Sequence, residues 1–176
     1  FILGSAHSVL GGGKNLWVDT SKDKTREHVD TYFGGDPYKY VEAYYEEESL
    51  VYEKTGCDII AHFDLVTKFL EVDPLFDVNH PRYIKARDKA LDKLLDTPAL
   101  FEVNTGAISR GYRTDSYPDG TVLSRIKESG KPVVISSDSH NKDTVLFGLE
   151  QERLRMESLG IKYVSSLDEV LKMTRK

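Results

Sequence analysis

The chain has a single cysteine, Cys57, so no internal disulfide can form, and a reducing interior suits it. Lys and Arg form no cluster: 24 basic residues against 29 acidic ones give a net charge of −5 and a pI near 5.6. Without a positive stripe, a nucleic-acid partner is not expected, whereas a small anionic substrate is compatible because a local pocket can be positive on an acidic protein. No apolar run approaches the roughly 20 residues that span a bilayer, and no charged-then-apolar leader is seen, so the chain reads as soluble and cytoplasmic. Internal repeats at solenoid spacing are also missing. The Gly11-Gly12-Gly13 triplet lacks both the Lys-Ser/Thr ending of a nucleotide P-loop and the spacing of a dinucleotide fingerprint, so it reads as a flexible loop.

What is present is a chain of 176 residues, 39% of them hydrophobic, enough for one domain with its own core, spanning 1–176. Short apolar runs stop repeatedly at residues able to bind a metal or work beside one. Phe1-Ile2-Leu3 leads to His7, Asp58-Ile59-Ile60-Ala61 to His62, Ala99-Leu100-Phe101 to Glu102 and Asn104, and Val133-Val134-Ile135 to Asp138 and His140. Segments of helical periodicity lie between them. Asp36-Pro37 opens a helix that runs to about Lys54 before Gly56, with Tyr40, Tyr44, Leu50 and Val51 inward and Glu46-Glu47-Glu48 as a solvated face. Pro81 opens the next, with Ile84, Ala90, Leu91, Leu94 and Leu95 at helical spacing. Further helices are predicted from about Asp119 to Ser129, from Thr144 to Leu159, and after the Ser166–Glu169 capping box, with strands at Pro132–Ser136 and Ile161–Val164. Strands alternating with helices tend to run parallel, which gathers their C-terminal ends, and the residues that follow them, on one face.

Asp138-Ser139-His140 is the sharpest local signal: a hard carboxylate and an imidazole after a buried strand suit Zn, Mn or Fe. With His7 and His62 alongside, such ligands can activate water and neutralise a phosphoryl group. Arg110, in the loop from Thr105 to Pro118, has the planar donors that match phosphate oxygens.

These segments, together with Ile59–Leu65, Phe101–Thr105, Gly106–Tyr112 and Ser137–His140, resemble the PHP (polymerase and histidinol phosphatase) superfamily, and its histidinol-phosphatase branch in particular. The resemblance covers nearly the whole chain. It implies a distorted (β/α)7 TIM-like barrel with two or three divalent metal ions, hydrolysing L-histidinol phosphate to L-histidinol and phosphate in histidine biosynthesis. Carried over by position, His7 and His62 look like ligands of one metal, and Asp138 and His140 like ligands of others. Arg110 looks like the catalytic, phosphate-contacting arginine, Arg113 is a second substrate-binding candidate, and Glu102 and Asn104 fit supporting or substrate-binding roles. His28 and His80 match nothing in the pattern and are expected at the surface.

The family's His-x-His, a further early histidine and a bridging glutamate should precede Phe1. The barrel is therefore expected to lack its first strands in this chain, and the N-terminal segment of the domain to be missing. Two other readings stay open: a PHP-type phosphoesterase acting on another phosphomonoester or a nucleic-acid phosphodiester, and a non-catalytic metal-binding fragment.

Overall fold

Four of the five predicted helices have a capping side chain that explains where they start. The structure, a computed structural model, describes residues 1–175. Asp36 accepts a hydrogen bond from Tyr38 N at the start of α2 (Pro37–Ser49), Asp119 caps α6 (Gly120–Ser129), and Ser166 caps α8 (Leu167–Thr174). His80 caps α4 (Pro81–Leu95) through Nδ1 and stacks on Tyr38, so it is half-buried and not the surface residue expected; His28 is half-buried as well. After α2 the chain turns at Leu50 into α3 (Val51–Thr55), which stops at Gly56 in the left-handed region.

Five strands form one parallel sheet in the order β1 (Leu3–Gly4), β4 (Ile59–Ile60), β5 (Leu100–Asn104), β6 (Val133–Ser136) and β7 (Tyr163–Val164). Each is a strand expected from the sequence, in sequence order across the sheet. Several elements were not expected. Ser8–Gly11 (β2) and Lys14–Trp17 (β3) form an antiparallel hairpin whose turn is Gly12-Gly13, so the glycine triplet is an ordered turn with two positive φ angles and not a flexible loop. Lys22–Tyr32 forms α1, capped by Ser21. The short helix α5 (Gly106–Ser109) follows β5, and α7 (Leu149–Leu159) begins after a left-handed Gly148, later than its periodicity suggested.

Parallel neighbours in register present side chains to the same face, so burial separates the two sides of the sheet. Ile60, Phe101, Val103 and Val133 pack with Tyr44, Leu91 and Ile126 of α2, α4 and α6 in the main core. The opposite side has a small cluster of Ile59, Leu100, Val164 and Val134 under Val170 of α8. Helices thus cover one face fully, and α8 covers the other at the strands' N-terminal ends. Asp58 holds that cover in place: its buried carboxylate accepts from Ile2 N, Thr174 Oγ1 and both Nε and Nη2 of Arg175. The C-terminal ends of the strands, with Glu102 and Asn104, are left free of it. Among the described residues no helix is long and apolar enough to cross a membrane.

Candidate metal and phosphate site

Two non-glycine residues among those described have positive φ, His62 at 29° and Asp138 at 44°. Each follows the end of a sheet strand, β4 and β6, and each is a predicted ligand. A left-handed conformation costs a non-glycine residue about 1–2 kcal/mol, so the surrounding structure must impose it. For His62 the imposing group is Glu102, whose Oε2 accepts from the His62 backbone N–H at 2.9 Å and from Asn104 Nδ2 at 2.9 Å. Asn104 Oδ1 in turn accepts from Gly106 N at 2.8 Å. Glu102 and Asn104 are both buried and bonded inward, beneath the strand ends, where they fix the loops that carry the exposed groups.

The His7 and His62 rings meet edge to face with centroids 4.9 Å apart. His7 Nδ1 lies 3.0 Å from Asp19 Oδ2, and since a carboxylate only accepts, Nδ1 is the donor. His62 Nδ1 lies 3.0 Å from Ser5 Oγ, which can also accept. His140 Nδ1 lies 2.8 Å from the Asp138 carbonyl and 3.1 Å from Arg110 Nη1, an acceptor on one side and a donor on the other. His7 is thus anchored through Nδ1, which leaves its Nε2 available as a lone-pair donor, the arrangement that orients metal-binding imidazoles.

Arg110 completes a second cluster. Its Nη2 donates to Asp138 Oδ2 at 3.2 Å and its Nη1 to the Asp138 carbonyl at 3.1 Å, beside His140. Gly106 leaves room for this pair, since a Cβ there would stand 2.8 Å from Arg110 Nη2 and 3.0 Å from Asp138 Oδ2. Asp138 also acts on His62, whose pKa is pushed down to about 4 by burial first and by neighbouring His7, with Asp138 and Asp19 opposing. His62 is therefore neutral at pH 7, the form a metal requires.

Arg113 does not join these groups. It donates to Thr67 Oγ1 and lies with its guanidinium 4.3 Å from the centre of the Tyr117 ring. Asp19 and Ser5 were not anticipated, although Leu16-Trp17-Val18 leading to Asp19 repeats the pattern of an apolar run ending in a ligand-type residue. The hairpin brings Asp19 opposite His7 through Val18 N donating to His7 O at 3.0 Å. Lys68 also belongs here: it donates to Asp19 O at 2.9 Å, and burial lowers its pKa while Asp19 and Asp138 oppose the shift.

Glu48 corrects the reading of Glu46-Glu47-Glu48 as a solvated face. Its side chain is fully buried, its Oε2 accepts from Ala6 N at 2.7 Å beside His7, and its Oε1 has no partner. Burial holds its pKa well above the usual carboxylate range. The folded state therefore binds this proton more tightly than the unfolded state, and the associated stability is present at low pH and lost as pH rises above the ordinary glutamate value. Glu48→Gln, which keeps the neutral shape and cannot ionise, is expected to match the parent's Tm near pH 4 and to exceed it increasingly toward pH 8, as read by thermal denaturation across that range.

In kind, the donors fit a metal centre: three imidazoles and a carboxylate. In number they do not, because no three His, Cys, Asp or Glu side chains among the described residues gather closely enough to hold an ion.

No family model matches the chain. It is 24% identical over 165 residues to a protein of Schizosaccharomyces pombe named probable histidinol-phosphatase, an alignment covering 92% of this chain and 51% of that protein. Its fold is shared with the crystal structure of a candidate histidinol phosphatase, hisK, from Listeria monocytogenes, at a TM-score of 0.71 and 18% identity over 85% of this chain and 56% of the other. Both comparisons fall on the histidinol-phosphatase branch that the sequence resembles. The chain spans about half the length of each of these proteins.

Proposed function

We propose that the chain is the C-terminal portion of a PHP-type domain, a distorted (β/α)7 barrel, whose whole is a metal-dependent phosphomonoesterase acting on L-histidinol phosphate. The observation that carries this reading is the convergence at one end of a parallel sheet of His7, His62, Asp138, His140 and Arg110, with His62 and Asp138 in strained backbone conformations. Strand order without interruption favours a barrel wall over a doubly wound sheet.

In this reading His7, His62, Asp138 and His140 would hold divalent ions, Zn, Mn or Fe, which when bound supply charge neutralisation and an activated water. Arg110 binds the phosphate through a guanidinium aimed by Asp138. Asp19 and Ser5 orient His7 and His62, and Glu102 and Asn104 hold the loops, as positioning residues. The substrate is a small phosphorylated molecule, and the net charge of −5 disfavours a nucleic-acid phosphodiester.

The incomplete donor set has a direct consequence. The 176-residue chain alone is expected to bind Mn2+ or Zn2+ weakly, with little phosphatase turnover, whereas the native gene product carrying this sequence is expected to bind two or three ions and release phosphate. Equilibrium dialysis with each metal, run on both proteins beside a phosphate-release assay, tests this. Tight metal binding and full turnover by the chain alone would contradict the assignment of its ligands as part of a larger set.

A further inference from the structure

Arg110 and the ligand-type residues act on a phosphate, and no residue named so far contacts the organic group to which that phosphate is attached. The hairpin beside His7 supplies one. Its cross-strand pairs, Val9 with Leu16 and Ser8 with Trp17, divide it into two faces: Val9 and Leu16 are buried, whereas Leu10 and Trp17 remain 60% and 58% exposed. Leu10 and Trp17 are diagonal neighbours across the ladder and make one apolar patch. Trp17, the only tryptophan in the chain, belongs to neither hydrophobic cluster, so core packing does not explain it.

The backbone ties this patch to the site. Val18 N donates to His7 O at 3.0 Å, which carries the pairing one step beyond Ser8 and Trp17, and burial alternates through Leu16, Trp17, Val18 and Asp19. Side chains two residues apart on an extended strand leave it on the same side, so Trp17 shares the side of Asp19. Asp19 Oδ2 in turn lies 3.0 Å from His7 Nδ1. The indole is therefore one strand repeat, about 7 Å along the backbone, from the residue that orients His7.

The chemistry of the patch selects what can lie on it. An indole offers a flat, electron-rich face that attracts aromatic rings and cations, and an imidazole is both, since it carries positive charge part of the time near neutral pH. An aliphatic group gains only the contact area. We infer that Trp17, with Leu10 beside it, is a specificity-determining surface on which the ring of the substrate's organic group lies while Arg110 holds the phosphate. The site then prefers phosphomonoesters that carry an imidazole or a similar flat ring over aliphatic ones. This inference rests on the phosphomonoesterase reading above and adds to it the residue that recognises the ring.

The test compares the native gene product with its Trp17→Ala, Trp17→Leu and Trp17→Phe variants, using L-histidinol phosphate and glycerol phosphate as substrates. Trp17→Ala is expected to lower the ratio of kcat/KM for L-histidinol phosphate over glycerol phosphate about tenfold, mostly through a higher KM. Trp17→Phe should restore most of that ratio, whereas Trp17→Leu, which keeps apolar bulk without a ring face, should not. An unchanged ratio in Trp17→Ala, or equal recovery by leucine and phenylalanine, overturns the inference. Release of phosphate from neither substrate would instead sink the phosphatase reading, and a fluorescence titration with a chelator present then decides the role of Trp17. The difference in tryptophan emission between the parent and Trp17→Phe should change saturably with L-histidinol phosphate and not with glycerol phosphate; no change with the first, or the same change with both, overturns it.

Discussion

Replacing Asp138 with asparagine should lower phosphate release by the native gene product about a hundred- to a thousandfold while leaving the fold intact. The substitution is chosen for the backbone. Asp138 sits at φ 44°, and asparagine is among the few non-glycine residues that tolerate the left-handed region, so the change removes charge without adding strain. What is lost is the carboxylate that accepts from Arg110 Nη2 at 3.2 Å and would ligate a cation. Loss of one group aimed at developing charge in a water-poor site costs about two to three orders of magnitude in rate. Initial rates with saturating substrate, together with a circular dichroism spectrum, give the result. Unchanged hydrolysis would show that the Asp138 carboxylate takes no part in it.

Glu102→Ala should be the most damaging of the site substitutions for stability. The carboxylate serves two buried donors, His62 N and Asn104 Nδ2, and each left unpaired costs about 1–3 kcal/mol. Relief works the other way, because burial raises the Glu102 pKa and removing the group removes that desolvation. Two unpaired donors outweigh the relief from one buried acid, and a loss of about 3 kcal/mol is expected in urea denaturation. Glu102→Gln retains an oxygen acceptor and should recover most of that stability. If the alanine and glutamine variants fall equally, the negative charge and not the acceptor is what holds the His62 turn.

The parallel frame was legible because each of its strands is a short apolar run and four of its helices are announced by a cap: Asp36-Pro37, His80-Pro81, Asp119-Gly120 and Ser166. The hairpin was not, since Gly12 and Gly13 carry no side-chain pattern and Ser8–Gly11 alternates too weakly to register as a strand. Helix α1 was missed because Lys22–Tyr32 is nearly all polar and buries only Thr25 and Val29. Glu48 read as surface because it ends a run of acids, and only the approach of Ala6, from the link between β1 and β2, reveals its burial. In the site, the residue types and their placement at strand ends were visible. The partners that orient them, Asp19 for His7 and Ser5 for His62, were not, because such pairs exist only once the chain has folded.

The most direct test of the assigned site is phosphate release by the native gene product from L-histidinol phosphate, measured beside nucleoside monophosphates and single-stranded DNA, with and without a chelator. The expected result is release that is fastest from L-histidinol phosphate, abolished by the chelator and restored by Mn2+ or Zn2+. Absence of release from any phosphomonoester by the metal-loaded protein would contradict it.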